Sequence, residues 1–148
     1  MAAYWFAIAM LSAFDKEVDF LADTIKGALT TASYTPSQDN HDYFNDVTNE
    51  VTDTGYTAGG ATFSNKTHTN SANVSTFDDT GTLQWTSDGA GSITARRLPV
   101  YDSTPGTSST NPLLWWDDFG SDQVASNGGT FTYTPNVSGL ASITAGDA

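Results

Sequence analysis

The chain contains no cysteine, so disulfides, thiolate chemistry and cysteine-ligated metals are excluded, and stability must come from packing or association. Basic residues are scarce. Five Lys and Arg stand against 17 Asp and Glu, a formal charge of −12, and apart from Arg96-Arg97 the cations Lys16, Lys26 and Lys66 are isolated. Such a surface repels the phosphates that any sequence-independent nucleic-acid binder must neutralise, and it offers no basic cluster to an anionic membrane. No nucleic acid and no membrane are therefore expected as partners. Long apolar runs are also missing. The stretch from Ala2 to Phe14 falls short of the roughly twenty residues a spanning helix needs. With no Lys or Arg ahead of it and Tyr4-Trp5-Phe6 at its start, it lacks the pattern of an export leader. Histidine is limited to His41 and His68, neither with a second ligand at a recurrent metal spacing, so no metal and no cofactor is expected.

What is present is aromatic. Four Trp, six Tyr and eight Phe in 148 residues are enough to build a core and too many for a disordered polymer. The length suits one β-rich domain over 1–148, with an apolar N-terminal segment, 1–22, that packs on the core or on a partner. Tyr4 to Phe14 reads as a short buried helix, and Tyr43, Phe44 and Val47 sit at the spacing of a second helix of about two turns. The first strand is expected near 23–33. Beyond Gly55 short β-like runs alternate with Gly, Asn, Asp, Ser and Pro clusters: Ala61 to Thr69, Val74 to Asp78, Thr82 to Thr86, Ser92 to Tyr101, Leu113 to Phe119, Thr130 to Thr134 and Leu140 to Thr144. The pattern predicts a mainly β protein, an antiparallel β-sandwich or barrel of about seven to nine short strands with one or two short N-terminal helices. Same-phase apolar positions give the expected core: Ile25, Leu29, Phe63, Phe77, Leu83, Trp85, Ile93, Val100, Leu114, Trp116, Phe131, Tyr133 and Ile143.

No catalytic constellation stands out. Asp117-Asp118 after Trp115-Trp116 have the composition of a carbohydrate-hydrolase cleft, but neighbours on a strand point to opposite faces and cannot act as one carboxylate pair. Asp39, Asp42 and Asp46 lack the glycine-containing spacing of a calcium loop and read as a solvated acidic face. No G-x-S-x-G elbow occurs. Pro112-Leu113-Leu114-Trp115-Trp116 is apolar on both faces of its strand, the pattern of a strand covered on both sides. The chain therefore reads as non-enzymatic.

Several separated segments carry a resemblance. Asp23-Thr24-Ile25-Lys26, Tyr34-Thr35-Pro36, Thr48-Asn49-Glu50-Val51, Gly55-Tyr56-Thr57-Ala58-Gly59-Gly60-Ala61, Ile93-Thr94-Ala95-Arg96, Val100-Tyr101-Asp102, Asn111-Pro112-Leu113-Leu114-Trp115-Trp116-Asp117-Asp118-Phe119-Gly120 and Asn127-Gly128-Gly129-Thr130-Phe131 together resemble a family of small virion structural proteins of tailed bacteriophages and prophages. The resemblance implies a particle component assembled in the host cytoplasm, a minor capsid or decoration (cement) protein on the head exterior, with the major capsid protein and further copies of itself, as a trimer, for partners. A tail or tail-fibre component is one alternative, and a carbohydrate-binding module stacking sugar on Trp115 or Trp116 is another. The chain departs from the family pattern at Leu98-Pro99, where proline predicts an edge or a bulge. Because the N-terminal helix has no polar face and one small sandwich covers only one side of it, Tyr4, Trp5, Phe6, Ile8, Met10, Leu11 and Phe14 are expected at an interface, together with Trp115.

Overall fold

The computed structural model describes residues 2–146. Among these, ten strands pair antiparallel in three sheets. The main sheet has the order β1 (Ala2–Trp5), β8 (Leu113–Ala125), β7 (Ile93–Asp102), β2 (Ile25–Gly27), β3 (Ala61–Thr62). The second is β10 (Ala141–Thr144), β5 (Val74–Asp79), β4 (Lys66–Ser71), and the third is the pair β6 (Leu83–Thr86) and β9 (Thr130–Tyr133). The architecture is sandwich-like, with no sheet closed into a barrel.

The main sheet is apolar on both faces because both are covered. One face packs against the two smaller sheets through Ile25, Leu98, Val100 and Trp115 with Leu83, Trp85, Phe131 and Tyr133. The other carries Leu113, Trp116, Tyr101 and Ala28 under Phe6, Phe44 and Val47. This accounts for the unbroken burial from Leu113 to Asp117, where alternation would leave one face wet. An extra residue in β8, where Tyr101 pairs Leu113 and Val100 pairs Trp115, rotates the strand and puts Leu114 and Trp115 into the same cluster.

The expected strands from Ala61 onward are present, except that Ala61 to Thr69 divides into β3 and β4 in different sheets and the strand expected to end at Phe119 runs on to Ala125. Three expectations are corrected, and of the edge or bulge expected at Leu98-Pro99 it is the bulge that occurs. Tyr4 does not begin a helix, since Ala2–Trp5 pairs with Trp115 to Asp118 as a strand and the α-helix, α1, is Ala7–Phe14. The helix expected around Tyr43 is a single 3-10 turn, Phe44–Asp46. Its Phe44 and Asn45 N–H groups donate to Asn111 and Ser108 carbonyls at 2.9 and 3.0 Å and are not free to extend a helical ladder. Leu98-Pro99 lies inside the sheet, not at an edge. Proline is accommodated because β2 stops at Gly27 and only the Pro99 carbonyl is needed, accepting from Ala28 N–H at 3.0 Å. The bulge falls beside it, where the Thr30 carbonyl accepts from both Arg96 and Arg97 N–H. Of the expected core, Phe77 and Ile143 are only half-buried.

Helix α1 ends in a left-handed turn. Lys16 has φ 61°, and the Glu17 and Lys16 N–H groups return to the Ser12 and Ala13 carbonyls at 2.8 and 3.4 Å, the bonding of a Schellman cap. Glycine is the usual residue there because a Cβ is strained at positive φ. Lys16→Gly is expected to raise the unfolding free energy by about 0.5–1 kcal/mol, measured by urea denaturation.

Candidate functional site

Helix α1 is seated in an inverted sense. Phe6, Ala9 and Ser12, three residues apart, face inward, and the small Ala9 and Ser12 allow close approach to the sheet. Ser12, the one polar residue of the helix, is fully buried and donates from Oγ to Glu17 Oε2 at 3.1 Å. Leu11 and Phe14 point outward, 57% and 87% exposed. Large exposed apolar groups next to a buried serine oppose the arrangement that burial alone would select in a solitary chain.

Beside this helix lies an open groove of about 720 Å³. Trp5, Phe20, Phe77 and Leu114 line it from below, with Met10 and Phe14 on the helix side and Ile143 and His68 on the sheet side. The aromatic floor is fixed by edge-to-face packing: Trp5 lies 5.1 Å from Trp115 and 5.3 Å from Phe77, and Phe20 lies 5.2 Å from Phe77 between ring centroids. Trp5 Nε1–H donates to the Ser142 carbonyl at 3.0 Å, tying β1 to β10. At the rim Lys16 and Asp19 are exposed, while Lys66 lies over the Phe20 ring at 5.7 Å and donates to the Asp23 carbonyl.

The expected interface residues thus separate into three groups. Tyr4, Leu11 and Phe14 are exposed, and Trp5, Ile8 and Met10 are half-buried. Phe6 and Trp115 are corrected: at 0% and 1% exposure they belong to the chain's own core, Phe6 under Trp116 at 4.7 Å and Trp115 under Trp5 and Phe20. They are not available to a partner.

A second cluster surrounds Asp117. Its carboxylate, buried in β8, accepts a hydrogen bond from the Tyr133 hydroxyl and borders a polar depression of about 290 Å³ that includes Asn136 and Ser138. Burial pushes the carboxyl up to about 6, against the lowering effect of the Tyr133 hydrogen bond. The neighbouring Asp118 faces away and is bonded by Arg96 Nε at 2.6 Å and Arg97 Nε at 3.2 Å. Against the cost of its partial burial, the Arg96 and Gly120 N–H donors and the Arg97 charge hold it below the usual carboxylate range. The two acids do not share a cleft, as strand alternation requires.

No family model, curated protein or solved structure matches this chain. Its chemistry is therefore read from its own residues. Among the described residues no group of three or more His, Cys, Asp or Glu converges as a metal site, and Asp46 is engaged in accepting from the Asp42 and Tyr43 N–H groups at 2.9 and 3.1 Å. His41 meets the Tyr34 hydroxyl at 3.0 Å, and His68 stacks on Phe77. Sequence reasoning missed Phe20 in the groove floor, although Val18 and Phe20 alternate with Glu17 and Asp19. It also missed the Asp117–Tyr133 pair, whose one trace is an acid closing an apolar run.

Proposed function

We propose that this chain is a non-enzymatic structural protein of a tailed bacteriophage particle, a minor capsid or decoration protein bound to the outside of the head, and that it works by association through α1 and the groove beside it. The observation that carries this reading is the open apolar groove with the exposed Phe14 in its lining, next to a second exposed apolar residue of the same helix, Leu11. Exposed apolar surface gathered in one place marks an association site more often than a solvated face. The family resemblance supports the particle. The charge of −12 supports the exterior, because a chain facing packaged DNA would be opposed by like charge. Sugar stacking on Trp115 or Trp116 loses its basis, since both indoles are buried, at 1% and 8% exposure.

Removing residues 1–14 would not test this, because it strips β1 from β8 and uncovers Trp116, on which Tyr4 and Phe6 lie. Leu11→Ser with Phe14→Ser leaves the core intact. The double variant is expected to unfold within about 0.5 kcal/mol of the parent yet fail to co-sediment with purified heads. Normal attachment of the variant refutes the reading, and so does a handful of copies at the tail tip in place of many on the shell.

A further inference from the structure

We propose that Asn127 is a site of spontaneous deamidation in the folded protein, its amide giving way to aspartate and isoaspartate in the turn between β8 and β9. The step is intramolecular. The Gly128 backbone nitrogen, its proton lost to solvent, attacks Asn127 Cγ; the Cγ–Nδ2 bond breaks and ammonia leaves. Water then opens the cyclic imide at either carbonyl, giving aspartate, or isoaspartate with the main chain running through Cγ. The product adds a negative charge to the chain.

Asn127 is the only asparagine of the chain that glycine follows. A side chain on the following residue would crowd the attacking nitrogen, and Gly128 has none. Both residues are exposed, and a Cβ built on Gly128 would meet no atom within 4 Å. Among the described residues none bonds the Gly128 N–H or the Asn127 carbonyl, so the peptide unit between them is free to turn within its flanks. Those flanks are held. Gly129 N–H donates to the Ser126 carbonyl at 2.5 Å, and the Gly129 carbonyl accepts from Ser87 N–H at 2.9 Å. Gly128 has φ 74°, where a Cβ is strained, so the residue that makes the turn is also the one that opens the amide to attack. The Asn127 side chain meets one donor, Ser92 Oγ–H on Oδ1 at 3.2 Å; this draws electrons from Cγ and leaves Nδ2, the leaving group, to solvent. Asn136 provides an internal contrast. It too is exposed in a turn, its carbonyl accepting from Gly139 N–H at 2.8 Å, but β-branched Val137 follows it and its Oδ1 accepts from Ser138 N–H at 3.0 Å.

The test incubates the full folded chain at mildly alkaline pH and maps its peptides by mass spectrometry, with isoaspartyl methyltransferase labelling to detect isoaspartate. Asn127 is expected to show the mass gain of amide-to-acid conversion and to take the label, while Asn136 keeps its amide. Isoelectric focusing should show an acidic satellite band. Asn127→Gln abolishes it, because the longer side chain closes its ring far more slowly, and Asn136→Gln leaves it in place. The same incubation in urea gives the rate of the unfolded chain, and the folded chain should lose the Asn127 amide at a rate of the same order. An amide retained in the folded chain but lost in urea overturns the proposal, since the fold would then shield the site. Conversion at Asn136 in preference to Asn127 overturns it as well. Attachment to heads plays no part in these readouts.

Discussion

Trp115→Ala is expected to lower the unfolding free energy by about 3–5 kcal/mol, a large share of the roughly 5–15 kcal/mol that holds a domain of this kind together. Trp115 is 1% exposed and is the point at which three parts of the chain meet. It touches Trp5 of β1, Phe20 of the loop after α1 and Phe77 of β5, at centroid distances of 5.1, 6.0 and 6.3 Å. Truncation leaves a cavity that β8, held on one side by β1 and on the other by β7, cannot collapse to fill. Its indole N–H has no acceptor, so the residue contributes volume and ring contacts and no polar bond. Trp115→Phe should therefore cost clearly less than Trp115→Ala. Urea denaturation of both variants checks the pair, and equal losses would mean that cavity size is not what matters at this site. Because Trp115 supports Trp5 and Phe20, the alanine variant should also lose groove-dependent binding, unlike Leu11→Ser/Phe14→Ser, which loses binding with stability retained.

The second large effect is a pH dependence centred on Asp117. Burial raises its folded pKa from an ordinary 3.8 to about 6, so between those values the folded chain holds a proton that the unfolded chain has released. The contribution is present in full below the unfolded pKa and is lost as pH rises through about 6, a change of about 3 kcal/mol for a shift of this size. Asp118 titrates in the opposite sense, its pKa held low by Arg96 and Arg97, so the raw stability curve mixes the two. Asp117→Asn isolates the first. Asparagine can still accept from the Tyr133 hydroxyl, and the variant should gain on the parent by about 3 kcal/mol between pH 4 and pH 7. Urea denaturation at intervals across that range measures the difference. A constant offset with no slope would show that Asp117 titrates normally and that the buried pair does not control it.

The strands after Gly55 were legible because each is a short β-favouring run closed by Gly, Asn, Asp or Ser, and such local preferences survive whatever the chain later packs against. Pro112 to Trp116 announced a strand with two covered faces, and Asp117 and Asp118 announced opposite faces, because side-chain alternation is a property of the backbone alone. Composition likewise determined what the surface repels.

Tertiary structure decided the rest. Ala2–Trp5 is a strand because β8 offers it an open edge, and no property of Ala-Ala-Tyr-Trp reveals that neighbour. Whether Leu11 and Phe14 or Ala9 and Ser12 would face inward depended on how closely α1 lies against β8, since an all-apolar helix has no periodic cue to orient it. Leu98-Pro99 could enter the sheet interior because β2 ends beside it, a fact of another segment. Trp115 and Trp116 fall on different faces by alternation alone, and it is the packing of other segments on both faces that encloses both. Local preference set most strands after Gly55, and composition set the charge; the groove exists because three segments distant in the chain, α1, β5 and β10, converge on it, and convergence is set by packing that no local pattern encodes.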